Sequence, residues 1–175
     1  MEHESSFDGL FEGSCESLFW GLVSRLESPR GGGSQIQELS PHCEHLLRLA
    51  FLKTRFDNGG LLYVFECDGP GNGRNMCAAL EMVGLREGAK ILKAAFDLFP
   101  NQEAYDDWDS RFATIARVRP EFDRLDLELG QFVADIEEAS CRYVRSHRQE
   151  YEFLRVRRSY DSIQRSYKDS GPDAG

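Results

Sequence analysis

Along most of this chain apolar residues recur at spacings of three and four with polar residues between them, the signature of amphipathic helices. Leu18, Phe19, Leu22, Val23 and Leu26 form the first stripe, and Ser14 stands where a cap is needed, so a helix is predicted to about Glu27. Ser40-Pro41 pairs a hydroxyl cap with proline at the first helical position, predicting a helix to about Phe56 that buries Leu46, Leu47, Leu49, Ala50 and Phe51. Asn75 is read as the cap of a third helix, with Met76, Ala79, Leu80 and Val83 on one face and Gly84 closing it. Ile91, Leu92, Ala95, Phe96 and Phe99 mark a fourth, stopped by Pro100, and these two predict a hairpin. Gln102 to Val118 reads as a more polar helix carrying Trp108, Phe112 and Ile115. From Glu121 onward Phe122, Leu125, Leu129, Phe132, Val133, Ile136, Tyr143 and Val144 keep helical spacing, with Gly130 the expected break.

The punctuation between these runs sets the organisation. Residues 1–13 read as a loosely held lead-in, and Ser28-Pro29-Arg30-Gly31-Gly32-Gly33-Ser34 as a flexible connector, because three glycines are costly to hold in a helix. Asn58-Gly59-Gly60 is a turn signal: glycine reaches positive φ, and the side chains of Asp57 and Asn58 can bond back to the backbone. Leu61 to Phe65 is too short for periodicity to assign, and its helical neighbours favour helix. Cys67-Asp68-Gly69-Pro70-Gly71-Asn72-Gly73 reads as a loop. The expectation is an all-α fold, a single compact multi-helix domain over residues 35–168, preceded by a lead-in, first helix and connector over 1–34 and followed by a disordered tail over 169–175.

Charge narrows the function. The formal net charge of the 175 residues is −9, which opposes direct nucleic-acid binding and favours a basic partner. Between Asn101 and Ser140 eleven acids (Glu103, Asp106, Asp107, Asp109, Glu121, Asp123, Asp126, Glu128, Asp135, Glu137, Glu138) face four arginines, a net of −7. Such a segment steers a cationic partner, although a solvated helix face is an equally good reading. The sign then reverses: Arg142, Arg145, Arg148, Arg155, Arg157, Arg158, Arg165 and Lys168 face Glu150, Glu152 and Asp161. Pairing with the acidic segment, in this chain or a second subunit, is preferred to nucleic acid. Five separated cysteines with no CxxC pair argue against a disulfide framework and for a reducing cytoplasm. No signal-peptide pattern or membrane-length apolar run is present.

Catalytic chemistry finds little purchase. His42-Cys43-Glu44-His45 groups metal-capable side chains, but no second ligand pair completes a zinc site. Gly69 to Gly73 lacks the Lys-Ser/Thr of a phosphate loop. The expectation is no catalytic residue, no metal and no cofactor; an enzyme built on the turn at residues 58–60 is the least favoured alternative.

The run from Leu39 to about His147 resembles the bacterial DNA-mimic-protein-like family. The resemblance rests on Asn58-Gly59-Gly60, the aromatic segment Leu61 to Phe65, Gly69, Ala79-Leu80 with Val83-Gly84, Ala95 with Leu98-Phe99-Pro100, and the acidic segment leading to Tyr143-Val144. Tyr63 and Glu66-Cys67 stand where the family usually has Gln and an Asn-Ser pair. The resemblance implies an all-helical protein whose carboxylates occupy the DNA-binding surface of a basic protein; that no membrane partner is expected follows from the lack of a membrane-length apolar run. DNA carries about one charge per 1.7 Å of axis, so a homodimer would usefully lengthen the acidic surface. The alternative is an interaction domain of immunity or assembly type that binds through apolar and aromatic contacts. Asn58, Gly59 and Gly60 are read as architectural.

Overall fold

The computed structural model describes residues 6–27, 39–67, 70–99 and 108–155. The fold is all-α, with no strand among the described residues. In order the helices are α1 (Phe7–Glu12), α2 (Cys15–Glu27), α3 (Pro41–Cys67), α4 (Pro70–Met82), α5 (Arg86–Asp97), α6 (Trp108–Arg117), α7 (Arg119–Ala134) and α8 (Ile136–Ser146), followed by a 3₁₀ turn, Arg148–Tyr151. Helix α3 is the hub, packing against α2, α4, α6, α7 and α8, while α5 rests on α4 and α7.

The hub is bent, and the bend is encoded. Asn58 donates from Nδ2 to the carbonyl of Thr54 at 2.8 Å, closing the first limb of α3. Gly59 is extended at φ −179°, and Gly60 takes φ 64°, ψ −159°, a region essentially reserved for glycine. The second limb starts at Leu61, whose N–H is accepted by Asp126 Oδ1 of α7 at 2.5 Å. A Cβ on Gly60 would sit 2.5 Å from that same oxygen, so conformation and space both demand glycine. Arg111 of α6 donates from Nη1 to the carbonyls of Phe65 and Glu66 at 2.9 and 3.2 Å, satisfying the limb's far end.

Redirecting α3 places Phe65 at the centre of the core. Its ring stacks on Phe96 and Phe99 at 4.5 and 4.7 Å and meets Phe122 edge-on at 5.4 Å. The apolar run from Leu61 to Phe65 is therefore helical, as its neighbours suggested.

Four local expectations are corrected. Residues 1–13 are not all lead-in: Ser6 Oγ accepts the Gly9 N–H at 3.0 Å and starts α1, which buries Phe7 and Leu10. Gly71 to Gly73 do not form a loop; α4 begins at Pro70, with Asn75 inside it. A Cβ on Gly73 would collide with the Phe96 ring, so its glycine serves close approach of α4 to α5, and packing overrides weak helix propensity. Gly130 does not break α7, which runs on past it with the Phe56 ring alongside; the break comes at Asp135. Finally, Cys15 and Cys141 are joined by a disulfide with Cα atoms 5.1 Å apart. The pairing spans 126 positions and arises because α2 packs on α8, a proximity that cysteine spacing does not reveal.

The predicted lead-in and first helix are thus held to the body. Leu18, Phe19, Leu22, Val23 and Leu26 are all buried, each worth ~1.5–3 kcal/mol relative to exposure. Residues 28–34, Glu103, Asp106, Asp107 and the 169–175 tail lie outside the described residues.

Gly60→Ala should destabilise by about 1–3 kcal/mol in urea titration, since it combines backbone strain with a clash. Asp126→Ala should cost about 1–3 kcal/mol by leaving the Leu61 N–H without its acceptor. Asn58→Ala should cost less than either, since its bond to Thr54 is exposed.

Candidate protein-binding surface

Eight of the eleven predicted carboxylates fall among the described residues, and they do not form one uniform ladder. Glu121 and Glu128 grip Arg124 from either side on α7: Arg124 Nη2 lies 2.5 Å from Glu121, and its Nη1 pairs with Glu128. The arginine holds the Glu121 carboxyl below its usual range. Asp123 pairs with Arg119 at 2.7 Å and Glu138 with Arg142 at 2.7 Å, both one helical turn apart. Asp126 faces inward as the cap on Leu61. Glu137 Oε1 accepts from Trp20 Nε1 at 2.9 Å and lies 3.9 Å from Lys53, which also contacts Asp57 at 3.0 Å. Asp109 and Asp135 are exposed and make no ion pair with a described residue.

The charge survives this pairing because acids outnumber the bases among them. From Arg119 to Glu138 seven acids face two arginines, a net of −5 carried by α7 and the first turn of α8. Asp135, Glu137 and Glu138 cluster at the α7–α8 junction, where the N-terminal end of α8 offsets their mutual repulsion. Leu127 stands within this face, 76% exposed, between the Asp123–Arg119 and Arg124–Glu128 pairs.

The basic end docks elsewhere. Arg148 and Arg155 both pair with Asp8 of α1, at 2.7 Å for Arg155 Nη2, and both also contact Glu152. The two guanidinium groups lie over the rings of Phe11 and Phe7, at 4.5 and 5.2 Å from their centroids. Arg145 donates to the Gly13 carbonyl at 2.8 Å. Of the basic residues described in this end, only Arg142 pairs with the acidic segment; Arg157, Arg158, Arg165 and Lys168 lie outside the described residues. The signal for this docking was Asp8 between Phe7 and Phe11, hidden by reading residues 1–13 as a lead-in.

Sequence reasoning also missed how His42 is used. Its ring stacks with Tyr143, whose hydroxyl lies 2.7 Å from His42 Nδ1, and Tyr143 stacks in turn on His147 at 4.1 Å. Burial and the nearby Glu150 push the Tyr143 phenol up. His45 points away, with Nδ1 3.1 Å from Met82 Sδ, so the two histidines of the His-Cys-Glu-His run serve different contacts. No group of three or more His, Cys, Asp or Glu suited to a metal occurs among the described residues.

Fold and surface define an all-helical body with an acidic face. The chain belongs to the DMP19-like protein family (DNA mimic protein 19), whose model matches residues 37–147. No curated protein and no solved structure matches it. The matched span contains the bent hub, the aromatic core and the acidic helices; α1 and α2 precede it. No helix among the described residues is long and apolar enough to cross a membrane.

Arg155 and Arg148 hold the Asp8 carboxyl below the ordinary 3.8 of an aspartate. A carboxyl depressed in the folded state stabilises above its unfolded value and loses that contribution as pH falls through the folded one. Carboxyl NMR should therefore give an Asp8 midpoint below 3.8, with amide protection of α1 declining across it.

Proposed function

We propose that the protein is a non-catalytic, cytoplasmic DNA-mimic-like binding protein whose α7 and α8 carboxylates occupy the DNA-binding surface of a basic protein. The observation carrying this reading is the net −5 between Arg119 and Glu138, set on two consecutive helices of a chain in the DMP19-like family. The paired arginines sharpen the reading. Arg119, Arg124 and Arg142 lie one turn or less from the acids they hold, and a cationic partner can replace them as counter-ions without altering the backbone. The exposed members, Glu121, Asp123, Asp135 and Glu138, are the contact candidates, while Asp126 serves the fold. The turn at residues 58–60 supports the non-catalytic reading, because Asp126 occupies the space above Gly60 and takes the Leu61 donor.

Leu127 favours a second reading, in which an apolar anchor supplies most of the affinity and the carboxylates only steer encounter. The two make opposite demands on salt and on mutation.

Affinity capture from the native host at low and high salt, with duplex DNA as competitor, tests the proposal. A DNA-binding protein should be recovered and displaced by DNA. Asp123→Lys, Asp135→Lys and Glu138→Lys together should weaken capture by about tenfold or more at low salt, with less effect at high salt. Retention of affinity in that triple variant, with loss in Leu127→Ala, would establish the apolar reading instead.

A further inference from the structure

We infer that the Cys15–Cys141 disulfide is a redox-controlled latch, fastening α2 along α8 and regulating the exposure of that helix's acidic end. This inference rests on the binding surface proposed above.

Several contacts converge on α8 and its flanks. The disulfide joins the first residue of α2 to the middle of α8. Five residues further along α2, Trp20 donates to Glu137 at 2.9 Å, so the helices run antiparallel and a side chain little more than one turn from the bond holds a carboxylate of the acidic cluster. Arg145 reaches back to Gly13, and Arg148 and Arg155 clasp Asp8. The helices so held precede the family-matched residues 37–147, whereas their seat lies mostly within them. Cys43, Cys67 and Cys77 take no part in a disulfide bond.

With the bond closed, α2 cannot leave its seat, and Glu137 stays half-buried between Trp20 and Lys53. A dithiol reductant opens it: one thiolate attacks a sulfur of the bond, the second resolves the mixed disulfide, and two protons end on Cys15 and Cys141 as the reductant becomes a disulfide. The apolar side chains of α2 still favour the docked state, so reduction permits local opening rather than global unfolding. On opening, Glu137 joins Asp135 and Glu138 in solvent. Reducing conditions thus strengthen capture of a cationic partner, and oxidation weakens it.

The test uses the full chain, oxidised and dithiol-reduced. Alkylation in denaturant should count three thiols before reduction and five after it. Amide exchange of α2 should be about tenfold faster in the reduced protein and in Cys15→Ser and Cys141→Ser, with circular dichroism confirming the fold. An oligo-arginine peptide should bind about threefold more tightly to the reduced form, and Trp20→Phe should raise the oxidised form's affinity with the bond intact. Five thiols without reductant, or identical α2 exchange in both states, would overturn the latch. Faster α2 exchange with unchanged peptide affinity would overturn its regulatory role. Peptide affinity that ignores Asp135→Lys and Glu138→Lys in both redox states would instead sink the binding surface, with the exchange difference still measuring the latch.

Discussion

The hydrogen bond from the Leu61 N–H to the Asp126 carboxylate is the constraint on which the rest of the architecture turns. Two limbs of one helix can change direction at Gly59-Gly60 only if the new limb's first donors find an acceptor. Asp126 provides it from across the core, and in doing so fixes α7 against the bend. Phe65 then reaches Phe96, Phe99 and Phe122, drawing α5 and α7 around the second limb. One carboxylate therefore coordinates a backbone turn, an aromatic cluster and the placement of the acidic helix. It also divides labour among neighbouring acids, because Asp126 faces inward while Asp123, three residues earlier, is exposed.

Much of this was legible in the sequence because the responsible forces are local. Hydrophobic spacing located α2, the first limb of α3, α5 and the α7–α8 run, and Asn58-Gly59-Gly60 announced the bend through backbone chemistry. Illegible features depend on partners far along the chain. Nothing local distinguishes Asp126 from Asp123, since the difference is which of them meets Leu61 after folding. Gly73 looks like a breaker until the Phe96 ring fills the space a side chain would take, and Gly130 looks like one although α7 runs straight through it. The disulfide and the Asp8 clasp are tertiary juxtapositions across more than 120 positions.

The candidate surface shows the same split. Composition located the acidic segment but could not say which charges face outward, which are held by arginines a turn away and which the fold consumes. Counting carboxylates along a sequence measures charge, whereas recognition depends on the pattern left after intramolecular pairing. Here that pattern surrounds an exposed leucine, bringing electrostatic and apolar contributions into one patch.

The helices ahead of the matched family region have a practical consequence. Homology delimits residues 37–147, yet α2 buries its apolar stripe against α3 and α8, and Tyr151 and Leu154 beyond the other boundary are fully buried. A fragment cut at those limits would carry the whole inherited pattern and still lack part of its own interior. The unit traced by ancestry and the unit able to hold itself together in water are, in this protein, different lengths of chain.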